Sequence, residues 1–73
     1  MKTRDWIAKN LHEIAGAQKR AIAILRHPEL AHAHEMVVDT LADMVIAKAF
    51  LQSSATLLHK EGRWDEELKT KNG

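Results

Sequence analysis

Between Met36 and Leu51 the chain runs MVVDTLADMVIAKAFL, sixteen residues in which only Asp39, Thr40, Asp43 and Lys48 are polar. A helix that is apolar on nearly every side has to be covered on several sides. The whole chain is 73 residues long, too few to surround such a helix. The sequence therefore predicts that part of the cover comes from another protein chain.

Size points the same way. A domain of this length buries only about 60% of its unfolded surface when it folds alone, and such chains lean on disulfides, a metal or oligomerisation. Cysteine is absent, which removes disulfides and thiolate zinc sites and leaves self-association. It also fits a reducing compartment. The N-terminal MKTRDWIAKNLHEIA carries charge throughout, unlike a secretory signal. The apolar stretch is broken at Asp39, Asp43 and Lys48 and falls short of the ~20 residues of a membrane span. The expectation is a soluble, cytoplasmic protein without membrane contact.

Three glycines, one proline and no alternation of β-branched with polar residues predict an all-α chain. Helix one is expected over residues 3–26, with Thr3 as N-cap and Asp5 in its first turn. Ile7, Leu11, Ile14, Gln18, Ala21 and Leu25 follow the 4-3 spacing of a bundle seam, and Gly16 marks a candidate close helix approach. Pro28 ends helix one and suits the first position of the next helix. A turn at 26–28 then leads into helix two at 29–60, about 45 Å long and capped by Gly62. So short a joint predicts an antiparallel hairpin over 1–62. Residues 63–73 form a tail, with one further helical turn in RWDEEL and a frayed KTKNG end.

The seam of helix two reads Leu30, His34, Val37, Leu41, Met44, Lys48, Leu51, Ala55 and Leu58. Val38, Val45, Ala42 and Ala49 lie to one side of it, and Ile46, Phe50 and Leu57 round another. One hairpin cannot cover both flanks. The fold expected is thus a two-helix antiparallel hairpin dimerising into a four-helix bundle, with Ile7, Leu11, Ile14, Leu25, Val37, Val38, Leu41, Met44, Val45 and Leu51 as hairpin and dimer core. Ile46 and Phe50 have two readings, more dimer core or an exposed docking patch. Trp64 also has two: folded back over Phe50 and Leu57, or exposed as an anchor.

Charge is unevenly placed. Residues 1–27 hold six Lys and Arg against Asp5 and Glu13, a net +4, whereas residues 28–62 are net −3. Helices so charged complement one another side by side. Lys9, Lys19, Arg20 and Arg26 are candidate nucleic-acid contacts on the outer face of helix one. In length and architecture alone the plan resembles the plasmid RNA-binding hairpin dimers of the Rop kind. No motif of that family is matched, so the resemblance carries over no residue.

Catalytic chemistry is weakly represented. Ser53 and Ser54 have only His59 nearby as a base, with no orienting carboxylate, and Asp39 and Asp43 stack on an outer face. His32, Glu35 and Asp39 line up, but His32 and His34 point about 160° apart on a helix and cannot share an ion. His34 falls on the seam, where gaining charge near pH 6 would loosen packing. No catalytic residue, metal or cofactor is expected. The function expected is a non-enzymatic regulatory or adaptor protein, of the accessory type found in phages or plasmids. It would pair with itself and bind another protein through Ile46, Phe50, Leu57 and Trp64, modulating it, with inhibition the expected sense. The alternative is RNA or DNA binding through helix one.

Overall fold

The computed structural model describes residues 1–68; the KTKNG end lies outside them. The described residues form helix α1 (Thr3–Leu25), a 3₁₀ segment (Pro28–Ala33) and helix α2 (His34–Lys60), with α1 and α2 packed as a hairpin. The two seams read from the 4-3 spacing are where the helices meet. Ile7, Ala21 and Val37 are buried, and Leu11, Ile14, Gln18, Leu25, Leu41, Met44, Leu51, Ala55 and Leu58 are half-buried. Lys48, though on the seam, is exposed, its apolar stem free to lie along the helix while its ammonium reaches water. Val38 and Val45, expected in the hairpin or dimer core, are exposed in the single chain; they lie one position past the seam and turn away from α1.

The joint differs from the expected bend. Arg26 caps α1, His27 is extended, and Pro28 opens a 3₁₀ turn instead of α2 itself. Leu30 leaves the helical region (φ −103°, ψ 18°), so α2 starts at His34, five residues beyond the expected start. A tight i→i+3 segment is the usual way to connect two helices at a sharp angle. His34 fixes the corner: its Nε2 lies 3.2 Å from the carbonyl oxygens of both Ile24 and His27. Both partners are acceptors, so Nε2 carries the hydrogen.

Thr3 does not cap its own helix. The N-cap is Lys2, with no side-chain cap, and the cover comes from the far end of the chain. Gly62, at φ 69°, ends α2 by donating to His59 O (3.2 Å), and Arg63 N–H donates to Leu58 O (2.8 Å). This paired pattern is the Schellman close, which requires the left-handed φ that glycine adopts freely. The chain then turns at Arg63–Glu66 and runs antiparallel past the start of α1. Thr3 N–H donates to Glu66 O (2.9 Å), Arg4 N–H to Trp64 O (3.2 Å) and Leu68 N–H to Met1 O (3.0 Å), with Lys2 and Glu67 bridged. Instead of a further helical turn, the segment is a strap satisfying N–H groups that the first turn of α1 leaves open. Arg4–Asp65 (2.8 Å) and the Met1 ammonium with Glu67 (2.6 Å) flank it. The Glu66 carboxylate, bonded to Arg63 at 2.8 Å, raises the already high pKa of that guanidinium, with Glu61 adding to the effect.

The hairpin is long and thin, 48 × 26 × 17 Å with a radius of gyration of 15.8 Å. A compact 73-residue domain has a radius near ~11 Å. Two helices side by side have one shared seam and no second layer.

Candidate functional site: the outer faces of helix α2

On α2 the exposed apolar side chains fall into two groups. Val38 and Val45 follow the seam residues Val37 and Met44 by one position, with Ala42 and Ala49 beside them. Met36, Ile46, Phe50 and Leu57 lie round the other way. Ile46 is 53% exposed, Phe50 69% and Leu57 54%. For a phenylalanine this is unusual, because large apolar side chains normally find cover. Met36, which the sequence reading left out, is as exposed as Phe50 and sits fourteen residues before it on the same side. Its position at the same heptad site as Phe50 and Leu57 was the signal that could have found it.

Trp64 does not join this group. Its ring stacks on His59, with centroids 4.1 Å apart and planes at 24°, and the residue is half-buried. His59 and Leu57 point about 160° apart on α2. So the strap covers neither Phe50 nor Leu57, and Trp64 serves as the anchor of the strap instead of part of a patch. Trp64 thus folds back as one expectation had it, but onto His59 and not over Phe50 and Leu57.

The cations singled out on helix one, Lys9, Lys19, Arg20 and Arg26, are all exposed. None of them is in an ion pair among the described residues, and neither are Glu35, Asp39 and Asp43 on α2. Among the described residues both the basic and the acidic helix faces are thus unmatched. Among the described residues no three His, Asp or Glu side chains are grouped as a metal site requires; His32 lies in the 3₁₀ segment, out of line with Glu35 and Asp39. Ser53 and Ser54 are exposed on α2, and His59, their one candidate base, is stacked on Trp64.

Gly16 shows no close helix approach. A Cβ placed there would meet only Arg20 Nη1, at an ordinary 3.5 Å. Contrary to the expectation from length, an 18-residue stretch within the helical segment Pro28–Lys60 is apolar enough to cross a bilayer by length and composition, with a mean hydropathy of 1.3.

Compared with protein-family models, with curated proteins and with solved structures, the chain matches none of them.

Proposed function

We propose that this protein works by association: it pairs with a second copy and presents Ile46, Phe50 and Leu57, with Met36, to another protein whose activity it modulates. The observation behind the reading is the exposure of Phe50 and its neighbours on a face that neither α1 nor the strap covers. Contiguous apolar side chains such as Ile46, Phe50 and Leu57 mark interaction surfaces, and an aromatic residue is the common anchor; Met36 stands apart from them, beyond Asp43. The thinness of the hairpin supports the pairing, since one seam supplies little core for 73 residues.

The bilayer is the competing solvent for an apolar α2, and α1 argues against it. The two helices lie side by side, so a membrane that held α2 would also hold much of α1. Lys9, Glu13, Lys19 and Arg20 all lie on α1 within that length, and each charge near mid-bilayer costs about 2.5–3.5 kcal/mol on insertion scales. A water-filled surrounding with protein cover on α2 suits the hairpin better.

The decisive experiment is affinity capture from a host lysate with the wild-type chain, Phe50→Ala and Lys19→Glu/Arg20→Glu, followed by an activity assay of whatever protein is captured. A partner lost with Phe50→Ala, kept with the charge variant and altered in activity by the wild type supports the reading. Retention of RNA or DNA that falls steeply with salt and vanishes with Lys19→Glu/Arg20→Glu would replace it with the nucleic-acid reading, which the unpaired cations of α1 favour.

A further inference from the structure

We infer that the second copy docks on the flank formed by Ala8, Ala15 and Ile22 of α1 with Val38 and Val45 of α2, about a two-fold axis parallel to the helices that sets α1 of each copy against α2 of the other. This rests on the proposed pairing and specifies the face and symmetry by which it occurs.

The flank is defined by register. Ala8, Ala15 and Ile22 each follow a seam residue of α1 (Ile7, Ile14, Ala21) by one position, as Val38 and Val45 do on α2. Both helices are right-handed and they run antiparallel, so positions one step past the seam fall on the same side of the hairpin. The bond from His34 to Ile24 O sets the register, which brings Ile22 near the level of Val38 and Ala15 near that of Val45. All five are exposed, and Ala42 and Ala49 extend the surface outward with nothing bulky to hold a second helix away. The opposite side of the seam interleaves Asn10, Thr40 and Ser54 with Ala17, Ile24 and Ala47, whereas the first side has only Gln52 as a polar residue at the same levels. An apolar second copy therefore fits the first side better than the other.

The area is right for a second copy. The chain exposes 5815 Å², whereas a compact monomer of its mass exposes about 4,600 Å². If each copy hid the excess of about 1,200 Å², the contact would total about 2,400 Å², in the range of permanent homodimers.

Charge selects the axis. Beyond the apolar strip α1 carries Lys19 and Arg26, and α2 carries Glu35 and Asp39, all without an ion-pair partner among the described residues. With the axis parallel to the helices, α1 lies on the partner's α2 in the same antiparallel register as within one chain. Arg26 then comes level with Glu35 of the partner subunit, and Lys19 with the partner's Asp39. The other closed arrangement, with the axis across the helices, would lay α1 on its own copy and bring the basic stripes together, which is unfavourable. Under the arrangement inferred, Met36, Phe50 and Leu57 point away from the dimer and Ile46, on the line of Asp39, stands at its edge, so each dimer offers that surface twice.

The test is sedimentation equilibrium at low ionic strength, where exposed charges are least screened, with helicity of every chain checked by circular dichroism. Lys19→Glu/Arg26→Glu alone and Glu35→Lys/Asp39→Lys alone are each expected to weaken the dimer about tenfold or more. Mixing the two, or placing all four substitutions in one chain, is expected to restore it. Val45→Asp is expected to give monomers, and Phe50→Asp to leave the dimer intact. A monomeric wild type would overturn both the pairing and this arrangement. A wild-type dimer whose two charge-reversed chains pair as before, or that survives Val45→Asp and is lost with Phe50→Asp, would overturn the arrangement alone.

Discussion

The imidazole of His34 is bonded through Nε2 to the carbonyl oxygen of Ile24, ten residues earlier, at 3.2 Å. A second bond of equal length to His27 O makes one side chain the tie between the end of α1 and the start of α2. Each acceptor also takes a backbone N–H, Ile24 O from His27 and His27 O from Leu30, so the imidazole ties together carbonyls on both sides of the corner. Replacing His34 by Ala removes both bonds and is expected to cost about 1–3 kcal/mol. His34→Gln, which keeps one donor at a similar reach, is expected to recover part of that loss. Urea unfolding followed by circular dichroism measures both; equal losses for the two variants would mean that packing, not the bonds, holds the corner.

The strap makes a second closure, between the two ends of the chain. Trp64→Ala removes the stack on His59 and loosens the segment whose carbonyls serve Thr3 and Arg4. Loss of a helix N-terminal cap costs about 0.5–2 kcal/mol, and loss of an aromatic contact a further ~1 kcal/mol. Hydrogen exchange should show the change first at the Thr3 and Arg4 amides, with the amides of Leu41 and Met44 in mid-α2 least affected. Uniform acceleration along the chain would count against a local cap.

The two glycines in helical surroundings are expected to respond with opposite signs. Gly16 has room for a methyl group, with only Arg20 Nη1 at 3.5 Å, so Gly16→Ala should stabilise the hairpin by about 0.5–1 kcal/mol. Gly62 has equal room but stands at φ 69°, where a Cβ meets its own backbone. Gly62→Ala should destabilise by about 1–2 kcal/mol. Thermal unfolding of the two variants beside the wild type gives the comparison directly, and a loss at Gly16 would show that a second chain approaches there.

Much of the hairpin was legible because a seam repeats. Ile7, Leu11, Ile14 and Ala21 on one helix, and Val37, Leu41, Met44 and Leu51 on the other, recur at a spacing that only one helix face satisfies. The corner was less legible. Pro28 announces a break, but whether an α-helix or a 3₁₀ turn follows depends on His34 reaching back to Ile24, a tertiary contact with no local signature. The strap was hidden for the same reason: RWDEEL has the composition of a helical turn, and only its pairing with the first residues of the chain makes it a turn followed by a bridge at Glu67. On the candidate site, Phe50 and Leu57 could be placed on a flank by angle alone. That Trp64 turns to His59 and leaves them bare depends on the path set by Gly62, which spacing does not encode.

Ile7 and Phe50 give the sharpest stability contrast in the chain. Ile7 is 3% exposed, against 69% for Phe50, although Phe50 is the larger apolar side chain. Truncating a buried isoleucine to alanine removes contacts and leaves a cavity, at about 2–5 kcal/mol. Truncating a side chain that stays in water changes stability by no more than about 0.5 kcal/mol. If Phe50 faces outward in the assembled protein, Phe50→Ala should unfold with the wild type at every protein concentration while Ile7→Ala unfolds much earlier. If Phe50 were dimer core, the Phe50→Ala variant would lose stability by an amount that grows on dilution, because subunit association contributes by mass action. Unfolding measured over a hundredfold range of protein concentration therefore separates a docking surface from a dimer core at this one residue.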